Sequence, residues 1–258
     1  MRLHVIFSLA VSLLLFPAAA RAEAVDLELV LLADASGSIG NDEIRFQRQG
    51  YADALASQDV LDAIATAGRY QKIAVTYMEW GQWDSQIVVV PWKVIANGDD
   101  VRAFNEALLA APRIARGRNA IGNALIKAAA AIATNEHEGV RKVIDLSADS
   151  VNSWGRAGVP EAREAVLAQG ITINGLAVLC RTCSSGRPIS YDLEKAFEDT
   201  IIGGAGSFVV SADKPENFAL AVKRKLILEI AAATPATAAP RQQASRDAWT
   251  AKSVSQPD

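Results

Sequence analysis

Histidine and cysteine are scarce in this chain of 258 residues. There are two of each: His4 and His137, Cys180 and Cys183. A multi-histidine zinc centre is therefore excluded, and His137, in the polar stretch 135–139, is expected as a solvated histidine at a helix end. Basic charge is not in excess, with 26 Lys and Arg against 29 Asp and Glu, which argues against a nucleic-acid partner and its basic footprint. There is no G-x-G-x-x-G after a strand, so the dinucleotide-binding loop is missing. Internal repeats are absent, and so is any apolar run long enough to span a bilayer, which takes about 20 residues.

The one strongly apolar segment at the start, Val5 to Phe16, follows Arg2 and precedes Pro17 and Ala20-Arg21-Ala22. A positive start, a short apolar centre and an A-x-A site are the parts of a secretory signal. Residues 1–22 are read as that signal, and the mature protein as exported, to the periplasm or beyond, with no membrane span. No cysteine follows the cleavage site to carry a lipid. Removing the signal takes away Arg2 and Arg21 and no acid, leaving 24 basic against 29 acidic residues, a net charge of −5.

What is present begins with Leu29-Val30-Leu31-Leu32-Ala33-Asp34-Ala35-Ser36-Gly37-Ser38. A continuous apolar run bounded by a turn signal suits a strand buried on both faces of a parallel sheet. The residues after it then lie at the strand's carboxyl end, where open α/β sheets bind ligands. One carboxylate and two hydroxyls stand there, hard oxygen donors suited to Mg²⁺, Mn²⁺ or Ca²⁺. Asp and Ser also favour turns and helix caps, and the pentapeptide alone leaves both readings open. An aspartyl phosphotransferase would usually place a second acid two residues on, where this chain has Ser36.

Further along, apolar spacing predicts helices at 41–57, 60–65, 98–112, 119–132, 160–169 and 191–199, and a last one from Asp213 or Pro215. Asn41 or Asp42 is the expected cap of the first. Phe218, Val222, Leu226 and Ile230 recur every four positions as an apolar seam of the last helix. Strands are predicted at 72–80, 86–92, 140–146, 171–179 and 207–210. Gly81 to Ser85 makes a hairpin of the first two, with Pro91 at a strand end or edge. Trp80, Trp83 and Trp92 are expected to pack around that hairpin, with an aromatic ligand-binding surface as the alternative reading. Asp149 is a second acid beyond a strand end. From about residue 233 the composition turns to Ala, Thr, Pro, Gln and Ser, as in a disordered tail. Alternating strands and helices predict an α/β fold, a doubly wound, mostly parallel sheet flanked by helices, with one antiparallel edge strand.

Asp34-x-Ser36-x-Ser38 after the first strand, a loop and helix start at Arg118 to Leu125, and Asp149 after a later strand follow the order of a von Willebrand factor type A domain. More closely, residues 74–80, 173–177, 202–208 and 225–230 resemble a family of exported bacterial proteins of unknown function built on that fold. The resemblance covers about Val25 to Ile230, and residues 23–232 are read as one such domain. It implies a metal-ion-dependent adhesion site (MIDAS) of Asp34, Ser36, Ser38, Asn119 and Asp149, in which a partner's acidic side chain completes the coordination of the cation. Two positions depart from the pattern. Asn119 stands where the family has threonine, and Ser150 where glycine is common. An amide oxygen is still a hard donor, but on a longer, trigonal group, which disfavours octahedral Mg²⁺ more than irregular Ca²⁺.

Arg113, Arg116 and Arg118 lie on the loop entering the Asn119 turn, placed to meet a partner's carboxylates. The implied function is a metal-dependent protein-binding module rather than an enzyme. Two alternatives stand beside it: a thiol–disulfide enzyme using Cys180 and Cys183, and a structural domain with a vestigial metal loop. The C-x-x-C pair is followed by Gly186 and Pro188 rather than by a helix that would lower a thiol pKa. In an exported protein it is expected as a structural disulfide.

Overall fold

The computed structural model describes residues 22–66, 68–179 and 190–232. Cys180 and Cys183 with their expected disulfide, the expected signal segment up to residue 21 and the tail from residue 233 lie outside the described residues. Six strands form one sheet: β1 (Glu23–Asp34), β2 (Ile73–Trp80), β3 (Gln86–Ile95), β4 (His137–Ala148), β5 (Thr172–Val178) and β6 (Val209–Ala212). Their spatial order is β3-β2-β1-β4-β5-β6. β3 runs antiparallel to β2, and every other pairing is parallel.

β1 lies between β2 and β4, and the side-chain alternation divides it between two cores. Leu27, Leu29 and Leu31 face one layer with Tyr51, Phe104 and Phe218. That layer consists of α1 (Asn41–Leu55), α2 (Gln58–Thr66), α3 (Gly98–Ala110) and α7 (Pro215–Ala231). Val30 and Leu32 face the other, formed by α4 (Ile121–Ala133), α5 (Val159–Leu167) and α6 (Leu193–Thr200). The seam Phe218, Val222, Leu226 and Ile230 is buried along its whole length. Among the described residues no helix is long and apolar enough to cross a membrane.

Three local details differ from the expectation. α1 is capped by Gly40, whose backbone N–H is taken by the Glu43 side chain, so neither Asn41 nor Asp42 is the cap. β3 continues through Pro91 to Ile95. The pairing with β2 shifts between Val75 and Tyr77 and again before Met78. Thr76 there donates to Val90 O at 2.7 Å, and the irregular pairing of an edge strand accommodates a residue without an N–H. His137 opens β4 rather than ending a helix; its side chain is 12 % exposed, and its ring lies 6.2 Å from that of Trp92.

α1 and α7 approach so closely that a Cβ on Gly50 would lie 2.5 Å from Phe218 Cδ1. Phe218 is wedged against Phe46 and Tyr51 and cannot retreat. Gly50→Ala is therefore expected to destabilise the domain by about 1–3 kcal/mol through overpacking. The check is a lower urea midpoint with an unchanged slope; an unchanged midpoint would show that the helices separate freely.

Candidate metal centre

Strand order reverses at β1, which meets β2 on one side and β4 on the other. Such a switch point opens a crevice beyond the strand ends. Asp34 ends β1 and Asp149 follows β4, so two acids distant in sequence stand at neighbouring strand ends. Both are buried, Asp34 at 2 % and Asp149 at 8 % exposure.

The Asp34 side chain folds the first loop. Its Oδ1 accepts the Ser36 N–H at 2.8 Å, an Asx turn. Ser36 Oγ lies 3.3 Å from Ser38 Oγ. Asp34 Oδ2 is buried with no hydrogen-bond partner among the described residues. Its carboxyl is pushed up to about 7, first by burial and then by the charge of Asp149, against the opposing Ser36 N–H, the Ser36 hydroxyl and Arg113. A buried carboxylate with an idle oxygen beside a second carboxylate is a cradle for a cation. Two hydroxyls and an amide stand on the loops around it. The donor set is all hard oxygen, which fits a divalent cation of the Mg²⁺, Mn²⁺ or Ca²⁺ kind. Among the described residues no three His, Cys, Asp or Glu side chains converge into a metal cluster; the cradle has two such groups, Asp34 and Asp149.

The second loop is fastened to the first from several directions. Gly37 N–H donates to Gly117 O at 2.6 Å, and Gln82 N–H to Arg116 O at 2.8 Å. Gly117 has φ +88°, and a Cβ there would lie 2.3 Å from Gln82 Oε1, so only glycine suits the position. Upstream, Arg48 grips Glu79 through both carboxylate oxygens, at 2.7 and 3.0 Å, and also donates to the carbonyls of Ala111 and Pro112. That grip delivers Arg113, whose guanidinium donates to Ala35 O at 3.1 Å, Ser36 O at 3.2 Å and Asn41 Oδ1 at 3.0 Å. Arg113 thus holds the first loop's backbone. Arg116 and Arg118 are exposed.

Asn119 sits just before α4, and its amide nitrogen donates to Ser150 Oγ at 3.1 Å. The two departures from the family pattern therefore touch each other and tie the second loop to the third. Asn119 O also accepts the Trp154 N–H at 2.6 Å.

Trp154 and Arg156 also stand on this face, and no motif in the sequence singles them out. Trp154 is 61 % exposed with the Arg118 guanidinium 4.4 Å from its ring centre, and Arg156 lies 3.2 Å over the ring of Trp83, itself 39 % exposed. Two cation–aromatic pairs thus stand on the loops beside the cradle. Trp154 could have been noticed as a large aromatic in the loop after Asp149, while its pairing with Arg118 depends on the fold. Of the three hairpin tryptophans, Trp80 is buried and Trp92 donates to Ala131 O at 3.2 Å.

Asp34 makes the metal-free protein sensitive to pH. Its pKa in the unfolded chain is about 3.9, well below the folded value of about 7. Between these values the folded state holds the extra proton, so this group's contribution is full below about pH 4 and is lost as pH rises towards about 7. In EDTA, Asp34→Asn is expected to flatten the fall of Tm with pH over that window. An unchanged slope would place Asp34 in a wetter setting than its burial indicates.

The arrangement has relatives among solved structures. The pilus adhesin SpaC from Lactobacillus rhamnosus GG superposes with a TM-score of 0.55 at 14 % identity, over 81 % of this chain and 31 % of that one. Proximal thread matrix protein 1 from the mussel byssus, in a form described as having a zinc-occupied MIDAS motif, gives 0.51 at 14 %, over 83 % of this chain and 50 % of that one. The conserved hypothetical protein BatB from Bacteroides thetaiotaomicron gives 0.52 at 17 %, over 80 % of this chain and 98 % of that one. This chain therefore spans half or less of the first two. At such identities the likeness establishes the fold, that of a von Willebrand factor type A domain. No curated protein matches in sequence. One family, described as "Protein of unknown function (DUF1194)", matches residues 24–234.

Proposed function

The chain belongs to that family, DUF1194, and we propose that it is an exported, metal-dependent protein-binding module that is not an enzyme. Asp34, Ser36, Ser38, Asn119 and Asp149 would hold a divalent cation, and a partner's acidic side chain would complete its coordination. The observation that carries the reading is the buried, unpartnered Asp34 Oδ2 under the charge of Asp149. A dry carboxylate oxygen with no donor costs free energy that a cation would recover. The fold likeness to a protein with a zinc-occupied MIDAS supports the same reading.

When bound, the cation supplies a positive charge able to accept a carboxylate from outside. This chain's own residues do the rest. Asp34 shapes the first loop through the Ser36 N–H, Arg113 holds that loop's carbonyls, and Asn119 with Ser150 joins the other two loops. Arg116 and Arg118 are the exposed cations left to meet further acidic groups of the partner.

A ligand at 100 times its Kd stabilises by about 2.7 kcal/mol, a rise in Tm of roughly 5–11 °C for a domain of this size. Millimolar Mg²⁺, Mn²⁺ or Ca²⁺ is expected to raise Tm in the wild type and not in Asp34→Ala. No shift with any of them, together with identical behaviour of the variant, would end the metal reading.

Asn119→Thr is expected to improve Mg²⁺ relative to Ca²⁺, in line with the stricter geometry of the smaller ion; an unchanged preference would remove that account. Partner capture from exported proteins is expected for wild type and to be lost in Asp34→Ala and in EDTA. Equal capture under all three conditions would exclude a metal-bridged contact.

A further inference from the structure

A second group of buried charges lies inside the domain, away from the loops of the cradle. Asp145 sits within β4, three residues before its end, between Leu31 of β1 and Asn174 of β5, where a buried parallel strand would carry an apolar residue. Its side chain points into the layer of α1 and α7, toward Lys225 and Glu229 on α7. All three are buried, at 0–1 % exposure. Lys225 Nζ lies 2.7 Å from Asp145 Oδ1 and 2.5 Å from Glu229 Oε1.

The details are unusual for an ion pair retained only for stability. Nζ and Asp145 Oδ1 form a close ion pair, and Asp145 Oδ2 has no hydrogen-bond partner among the described residues. Glu229 Oε1 also accepts the Asn174 amide at 3.0 Å, and Asn174 is braced by the Phe208 N–H at 3.2 Å. Glu229 Oε2 is idle. Arg141 holds the end of α7 by donating to Glu229 O at 2.6 Å and Ile230 O at 2.9 Å. The Phe208 ring centre is 5.6 Å from Nζ. Two acids and one base share this dry space, so one negative charge is left over when all three ionise, a costly state. Burial first, and then the Glu229 charge, push the Asp145 carboxyl up to about 7, with Lys225 opposing. That shift favours the neutral acid, the form of a carboxyl group that an amine can condense with.

We propose that Lys225 and Asp145 join in an intramolecular amide, with Glu229 as the proton carrier. In the reacting state Lys225 is a neutral amine, having passed its proton to Glu229, and Asp145 is a neutral acid. Nζ attacks Asp145 Cγ and the Nζ–Cγ bond forms. One Cγ–O bond breaks, and that oxygen leaves as water, keeping the carboxyl proton and taking a second from Glu229. Nζ gives its own surplus proton to Glu229, which ends as it stood after the first transfer and returns that proton to the solvent. The sum is amine plus acid giving amide plus one water, with no oxidant or activating group. The reacting atoms are already held together by the fold, which is the main obstacle to an uncatalysed condensation. The product replaces a buried ion cluster with a neutral bond and staples α7 to the centre of the sheet, across most of the chain's second half. Closing so long a loop restrains the unfolded state strongly.

Intact mass spectrometry of the purified, reduced full chain tests this directly. The wild type is expected to weigh one water less than its sequence requires, and peptide mapping to yield a branched peptide joining Lys225 to Asp145. Lys225→Met and Asp145→Ala are expected at full mass. A wild type at full mass overturns the proposal, whatever the variants do. So does a water loss that persists in Lys225→Met, which would mark a cyclic imide at an aspartate instead. Glu229→Gln is expected to stay at full mass, and a cross-link formed in it would overturn the role given to Glu229. None of these readings depends on a cation at the cradle.

Discussion

Burial of β1 on both faces is the constraint on which the rest depends. A strand with Leu27, Leu29 and Leu31 on one side and Val30 and Leu32 on the other must be covered by two helical layers. It must also be flanked by strands on both edges, since a central strand cannot leave its N–H and C=O groups unpaired. β2 and β4 supply those edges. The chain can reach both only by turning one way after β1 and the other way after β3, and that reversal creates the crevice. Asp34 is carried into it because it is the next residue after the apolar run. Its burial, its idle oxygen and its raised pKa all follow from where β1 must end.

Holding that crevice in shape takes ionic contacts that touch no ligand themselves. The Arg48–Glu79 pair is bidentate and dry, and breaking such a pair by removing one partner commonly costs about 3–5 kcal/mol. Arg48 also holds the carbonyls just before Arg113, and Arg113 holds the carbonyls just after Asp34. Glu79 is therefore connected to the first loop through two arginines, and the cradle inherits the rigidity of the β2 strand. The Asn119–Ser150 contact does the corresponding work between the second and third loops. Because the two side chains are hydrogen-bonded to each other, a change at one is felt at the other.

Two of the domain's buried acids, Asp34 and Asp145, stand in different settings. Asp34 lies where strands finish and the outside is near, and its unmet oxygen points to a cation and a partner. Asp145 lies within its strand, and its carboxylate faces a lysine of the same chain. The same physical cost, an unpaired carboxylate in a dry place, is one that the proposed cation would meet from outside and the proposed amide from inside.

The sequence by itself determined the fold class, the placing of Asp34 at a strand end with Ser36 and Ser38 just beyond it, and the apolar seam of the last helix. Periodicity and turn residues are local signals, and these features are local. It also indicated the antiparallel hairpin, although not the length of β3, because an irregular edge pairing absorbs Pro91. Only the tertiary structure decided that Arg113 grips the first loop's backbone, that Asn119 meets Ser150, and that Trp154 and Trp83 are covered by arginines. The same holds for the meeting of Asp145, Lys225 and Glu229. Lys225 and Glu229 share a helix face by spacing alone, but Asp145 joins them only because β4 and α7 are packed together. Contacts between side chains far apart in sequence depend on where the sheet and its layers bring the backbone, and no local pattern records that.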